Sequence, residues 1–256
     1  MSSSVVRVGL LGCGNVGSSL AQMIASNGDA IAERAGVRLQ ITQIAVRDLL
    51  IDRGLPTNTA VMTDDPAAVV AASDVDLVVE VMGGIEPART LILAALAAGK
   101  PVVTANKALL AAAGAELFAA AESGGVDLLF EASVCGGIPL MRPLRESLAG
   151  DRILRVTGIV NGTTNYILTR MTEAGQSFAD ALAEAQALGF AEADPTADVE
   201  AHDAAAKAAI IASIAFGAEV TDSDVYREGI TAITDADIEA ARELGYVVKL
   251  LAVAEE

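Results

Sequence analysis

Close to the amino terminus, the apolar run Val5-Val6-Arg7-Val8-Gly9-Leu10-Leu11 enters Gly12-Cys13-Gly14-Asn15-Val16-Gly17, whose glycines fall as G-x-G-x-x-G before an Ala/Leu/Ile-rich helical pattern. Few short patterns restrict a fold more. Gly12 would permit the tight turn, Gly14 would let backbone N–H groups approach a pyrophosphate, and Gly17 would let the helix pack close to the strand. The phosphate would sit on the helix N-terminus beside Asn15 and Val16, where unpaired N–H groups and the helix dipole favour an anion. The motif alone is weak evidence, but its setting supports it. The helix expected over Asn15–Ala35 is followed by a second strand at 37–46, which completes the strand–helix–strand unit of a dinucleotide site.

Arg47-Asp48 follows that second strand. An arginine there can pair with a 2′-phosphate, whereas an acidic residue bonds the ribose. Arg47 favours NADP(H), Asp48 keeps NAD(H) open, and a solvated strand-end arginine is the competing reading. Asp65-Pro66 starts a short helix, and 76–84 reads as a buried strand ending at Gly83-Gly84, a turn expected to face the cofactor. A helix over 86–98, a strand over 102–105, a helix over 109–122 and a strand over 126–134 continue the alternation. This predicts an α/β, Rossmann-type, doubly wound parallel sheet. Thr104 and Lys107 stand at the carboxyl end of a strand, where ligands of such sheets bind.

The turn-rich Cys135-Gly136-Gly137-Ile138-Pro139 marks a boundary, giving a cofactor domain over 1–135 and a second, α+β domain over 136–256. Beyond it the patterns predict a helix at 141–148, a strand at 153–160 and a polar turn at 161–165. The turn either holds a small carboxylate or, as its composition favours, caps a helix over 166–173. A helix starting at Pro195 would put Asp203 and Lys207 four residues apart on one face. On a solvated face such a pair is worth about 0.3–0.5 kcal/mol. The surrounding Ala204-Ala205-Ala206 and Ala208-Ala209-Ile210-Ile211 instead suggest a largely buried helix, where a lysine needs its partner. The single histidine, His202, reads as an exposed helix residue. Residues 235–244 form an amphipathic helix, and periodicity leaves 246–254 undecided between strand and helix.

Composition narrows the partners. A formal charge of −17, with 34 acidic against 17 basic residues, disfavours nucleic acid and anionic membranes. The start, Met1-Ser2-Ser3-Ser4, lacks a leader's charged and apolar regions, and no apolar run reaches spanning length, so a cytoplasmic protein is expected. Cys13 and Cys135 lack metal-ligand spacing and read as reduced thiols.

Taken together, Gly12 to Gly17, Thr104-Ala105-Asn106-Lys107, Glu131-Ala132-Ser133-Val134, Asn161-Gly162-Thr163-Thr164-Asn165-Tyr166 and the stretch from Glu192 to Lys207 closely resemble homoserine dehydrogenases along essentially the whole chain. The resemblance implies NAD(P)H-dependent, reversible reduction of L-aspartate 4-semialdehyde to L-homoserine. It makes Lys207 the proton donor to the aldehyde oxygen, Asp203 its partner and Lys107 a group near nicotinamide and substrate. Glu192, Asp198, Gly162 and Thr163 would form the amino-acid pocket. Glu131, with the carbonyls of Val134, Gly136 and Ile138, would hold a monovalent cation, Na+ or K+. A homodimer paired through the second domain is also implied. Phe190 stands where the family often has tyrosine, and family members continue past residue 256, so a C-terminally truncated chain is expected. Two other readings remain: a phosphorylating aldehyde dehydrogenase with Cys135 as nucleophile, and a cofactor-binding module without turnover.

Overall fold

Glycine, proline and short polar side chains divide this chain into brief elements. The computed structural model describes residues 4–55 and 60–256; residues 1–3, part of the segment considered above as a leader, and residues 56–59 lie outside the described residues. The chain separates into two units, Met1–Gly137 and Ile138–Glu256, a division two residues beyond the boundary read from the turn.

In the first unit the elements are β1 (Ser4–Leu11), α1 (Asn15–Ala35), β2 (Val37–Ala45), β3 (Val61–Thr63), α2 (Pro66–Ala71), β4 (Leu77–Glu80), α3 (Ala88–Ala97), β5 (Val102–Thr104), α4 (Lys107–Gly124), β6 (Leu128–Leu129) and α5 (Glu131–Val134). The described strands form one sheet in the order β3-β2-β1-β4-β5-β6, every pair parallel. This is the Rossmann order, with its reversal between β1 and β4. Alternation along β1 sends Val8 and Leu10 to the cluster containing Ala21 and Ile24 of α1. Gly9 points to the other face, where an added Cβ would come 2.8 Å from Val69 of α2. Helices therefore cover both faces, as a strand buried on both sides requires. Asp65 caps α2 by accepting from the N–H groups of Ala67 and Ala68. The three-residue strand β3 had no clear pattern in the sequence.

The predicted strand over 126–134 is not formed as such. Only Leu128–Leu129 pair with β5, and Glu131–Val134 turn into α5. The Ser133 hydroxyl donates to the Thr104 carbonyl at 2.9 Å, so this apolar run is held by a side chain where the ladder ends.

In the second unit a turn of π-helix (Pro143–Ser147) precedes β7 (Arg155–Gly158), α6 (Gly162–Ala174), α7 (Phe178–Ala187), α8 (Thr196–Val199), α9 (His202–Phe216), α10 (Asp235–Glu243) and β8 (Ala252–Glu255). β7 and β8 pair antiparallel; of the undecided 246–254 stretch only 252–254 are strand, and 246–251 are irregular. β7 covers only half of the strand expected over 153–160. α6 begins at Gly162 rather than near Tyr166, because Asn161 takes the N-cap position. No continuous helix starts at Pro195; Ala201, at φ 62°, breaks α8 from α9. Ile167, Leu168 and Met171 of α6 pack with Ala181 and Ala185 of α7, Val199 and Ile238. α9 is buried around most of its circumference through Ala204, Ala205, Ala206, Ala208, Ala209, Ile210 and Ile211, as its composition predicted.

Candidate active site

The glycine turn adopts the geometry its spacing predicts. Gly12 has φ +96°, a region side chains rarely enter, and a Cβ there would meet the Val81 carbonyl oxygen at 2.9 Å. A Cβ on Gly17 would collide with the Gly12 carbonyl oxygen, so α1 can pack this close only with glycine there. At Gly14, by contrast, the missing Cβ leaves open space, and Gly14, Asn15 and Val16 are exposed at the start of a 21-residue helix with no acidic residue in its first turn. These are the features a pyrophosphate requires. Cys13, between the glycines, is buried, and burial pushes its thiol pKa up, making it a poor nucleophile.

Arg47 is exposed just past β2. The carboxylate of its neighbour Asp48 is engaged locally, with Oδ1 accepting from Leu50 N–H at 2.8 Å. Arg53, which sequence reasoning missed, ties this loop to the glycine turn. Its guanidinium donates to the carbonyls of Cys13 (3.0 Å), Ile51 (2.7 Å) and Asp48 (2.8 Å).

A second missed residue lies at the carboxyl end of β4. Glu80 is fully buried; Oε1 accepts from Met82 N–H (2.8 Å) and Gly83 N–H (3.2 Å), and Oε2 accepts from the Thr104 hydroxyl (2.6 Å). That hydroxyl also accepts from Asn106 N–H at 3.0 Å. Asn106 donates to the Gly84 carbonyl at 2.6 Å and caps α4 through Leu109 N–H. Thr104 is thus occupied in joining the ends of β4 and β5, and Gly83 is pinned by Glu80. Lys107 follows as the first, half-buried residue of α4. Glu131 and Val134 lie on α5, with Gly136 exposed in the turn beyond; Ile138 opens the second unit and is exposed.

In the second unit, three sequence-predicted residues come together around α9. The Lys207 ammonium lies 2.8 Å from Asp203 Oδ2, with side chains 15% and 5% exposed. It also donates to the Val160 carbonyl at 2.7 Å. Asp198 enters through Asn161, whose Nδ2 donates to Asp198 Oδ1 (2.7 Å) and Asp203 Oδ2 (2.9 Å). The other predicted pocket residues flank this group: Gly162 is exposed at the first position of α6, and the Thr163 hydroxyl donates to the Phe190 carbonyl at 2.6 Å. The Phe190 ring packs on Tyr166 at 5.0 Å between centroids. The Tyr166 hydroxyl donates to Glu184 at 2.7 Å, a bond that raises the phenol pKa and lowers that of the carboxyl. Glu192 is exposed in the loop before α8, and His202 is exposed at the start of α9.

Comparison with known proteins agrees with both halves. Residues 12–131 match the model of the homoserine dehydrogenase NAD-binding domain, and residues 139–255 match that of homoserine dehydrogenase. The homoserine dehydrogenase of Mycobacterium tuberculosis is 58% identical over 98% of this chain, which spans 56% of that protein. A solved homoserine dehydrogenase structure from Thiobacillus denitrificans is 46% identical with a TM-score of 0.93, covering 98% of this chain and 58% of its own. A hyperthermophilic archaeal homoserine dehydrogenase in complex with NADPH is 30% identical with a TM-score of 0.81, covering 98% of this chain and 79% of its own.

Proposed function

Since the chain belongs to the homoserine dehydrogenase family, we propose that it catalyses the reversible NAD(P)H-dependent reduction of L-aspartate 4-semialdehyde to L-homoserine. The observation that carries this reading is the Asp203–Lys207 pair, an ammonium held in a helix that is otherwise apolar nearly all round. When bound, the reduced nicotinamide supplies the hydride. As the aldehyde carbon accepts it, negative charge grows on the oxygen, where Lys207 Nζ stabilises it and delivers the proton. In the reverse direction neutral Lys207 takes that proton back from the hydroxyl.

Lys207 is suited to this because an ammonium has three N–H donors, and Asp203 and the Val160 carbonyl take two. The third remains for the substrate oxygen. Lys107 is assigned as a second catalytic group on the cofactor side. Glu192 and Asp198 are assigned to the substrate ammonium, and Gly162 and Thr163 to the same pocket; carboxylates for an amine suit a small zwitterion. The glycine turn and α1 N-terminus would hold the pyrophosphate through Gly12, Gly14, Asn15, Val16 and Gly17. Gly83 would lie against the nicotinamide, with Thr104 shaping that turn from beneath. Arg47 is assigned to a 2′-phosphate from its exposed place just past β2, beside Asp48, one of whose oxygens accepts from Leu50 N–H in its own loop. NADP(H) is therefore the preferred cofactor, with NAD(H) as a second. Glu131, Val134, Gly136 and Ile138 would offer oxygen donors only, the set a hard monovalent cation takes. The proposed setting is cytoplasmic and homodimeric; among the described residues no helix is long and apolar enough to cross a membrane.

The test is the fall in nicotinamide absorbance when the protein meets NADPH and aspartate semialdehyde. Oxidation without added phosphate, surviving Cys135→Ala, is expected. Lys207→Ala should lower kcat by roughly 10²–10⁴-fold while NADPH affinity stays within a factor of about two. NADPH binding without oxidation would replace this reading with a non-catalytic module, and a phosphate requirement would favour the Cys135 alternative.

A further inference from the structure

We propose that Asn161 is a positioning residue that locks the substrate-facing carboxylate Asp198 and the proton-donor pair Asp203–Lys207 into one register, an inference that rests on the reaction proposed above. Asn161 is 4% exposed and lies 37 residues from Asp198 and 42 from Asp203 along the chain. Its amide orientation follows from its neighbours. Oδ1 accepts from Thr164 N–H at 2.9 Å and from the Thr164 hydroxyl at 2.8 Å, so Nδ2 is left to face the two carboxylates. Turning the amide over would set its oxygen against both carboxylates and its NH2 against the Thr164 N–H, a loss at three contacts that a rotated Thr164 hydroxyl could not make good.

The two hydrogens of Nδ2 are therefore divided between the two carboxylates, one each. One goes to Asp198 Oδ1 at 2.7 Å; the other goes to Asp203 Oδ2 at 2.9 Å, the same oxygen that Lys207 Nζ approaches to 2.8 Å. Lys207 is also bonded to the carbonyl of Val160, the residue before Asn161. Two consecutive residues entering α6 thus grip both members of the α9 pair and one residue of α8. A substrate whose ammonium is bound through Asp198 and whose carbonyl oxygen is met by Lys207 has the spacing between its two ends set by this fork. Such fixed spacing is worth more to turnover than to binding, because small misplacements of a reacting group cost rate steeply.

Asn161 also caps α6, and the experiment separates the two roles. Serine and aspartate are both good N-caps, so Asn161→Ser keeps the cap and removes the fork, and Asn161→Asp keeps cap and shape but sets a third carboxylate against two. Homoserine oxidation is measured with NADP+ for the protein and both variants, alongside thermal unfolding. Asn161→Ser is expected to lower kcat about tenfold or more and to raise the homoserine KM by only about two- to threefold, with the NADP+ KM within about twofold and the Tm within a few degrees. Asn161→Asp is expected to lose about 100-fold or more in kcat/KM for homoserine, again sparing NADP+. Thr164→Val, which removes one of the two bonds that hold the amide oxygen, gives the same split more weakly and serves if Asn161→Ser does not fold. Wild-type kinetics in Asn161→Ser, or equal losses for homoserine and NADP+, would overturn the fork while leaving the reaction in place. Absence of homoserine oxidation in the unaltered protein would overturn the reaction and this proposal together.

Discussion

Lys207 and Arg47 are both basic side chains, but their surroundings give them different work. Lys207 is held by two short contacts inside an apolar helix, which removes the rotamer freedom a surface lysine keeps and points its remaining N–H in one direction. Arg47 is exposed just past β2, where the proposed reading gives it a 2′-phosphate to pair with. Replacing Arg47 with alanine should therefore weaken NADPH by about tenfold or more and NADH by less than about twofold, read from the KM for each cofactor. Parallel losses for the two would take Arg47 out of 2′-phosphate recognition. Both residues stood out in the sequence, one from its place after the second strand and the other from an i,i+4 acidic partner. Arg53 did not, because a guanidinium that donates only to backbone carbonyls leaves no side-chain pattern to read.

Between elements, side chains complete what the ladders begin. β4 and β5 are four and three residues long, and beyond their ends the chain is held by Glu80, Thr104 and Asn106. A buried carboxylate is tolerable only when its oxygens are bonded, and Glu80 accepts from three donors. Glu80→Ala would strand those donors at once, and a loss of roughly 2–4 kcal/mol in unfolding free energy is expected from denaturant titration. NADPH affinity should fall with it, since the Met82–Gly84 turn loses its anchor. Glu80→Gln, which keeps an acceptor for Met82 and Gly83, should recover much of both. A variant with full stability and affinity after Glu80→Ala would show that the turn holds itself. The apolar run containing Glu80 read correctly as a buried strand, but the carboxylate's role depended on Thr104, 24 residues away.

At the scale of the whole chain, each unit carries its own core, and the chain spans little more than half the length of the bacterial relatives it matches. In the first unit, the entry to β4 is fastened to β1 by Arg7 and Asp76, bonded at 2.6 Å and 2.9 Å side chain to side chain, with Arg7 N–H also donating at 2.9 Å. The guanidinium bond holds the Asp76 pKa down to about 2 from 3.8. A depressed carboxyl pKa contributes stability that is complete above the unfolded value and is lost as pH falls through the folded one. Asp76→Asn should therefore be less stable than the parent at pH 7, and the gap should close between about pH 4 and pH 2 when unfolding is followed across that range. A gap independent of pH would mean that packing, rather than charge, fastens the strand. The patterns that could be read from the chain alone are the local ones. Glycine spacing, apolar runs and caps report backbone dihedrals and hydrogen bonds within a few residues, and they led to the doubly wound sheet, the glycine turn and the Asp203–Lys207 pair. Where local signals conflicted, as at 126–134 and after Pro195, packing chose the break points. The Asn161 fork and the Glu80 network stayed out of reach because one amide or carboxylate can satisfy many partners, and which ones it meets is decided only when distant segments are folded together.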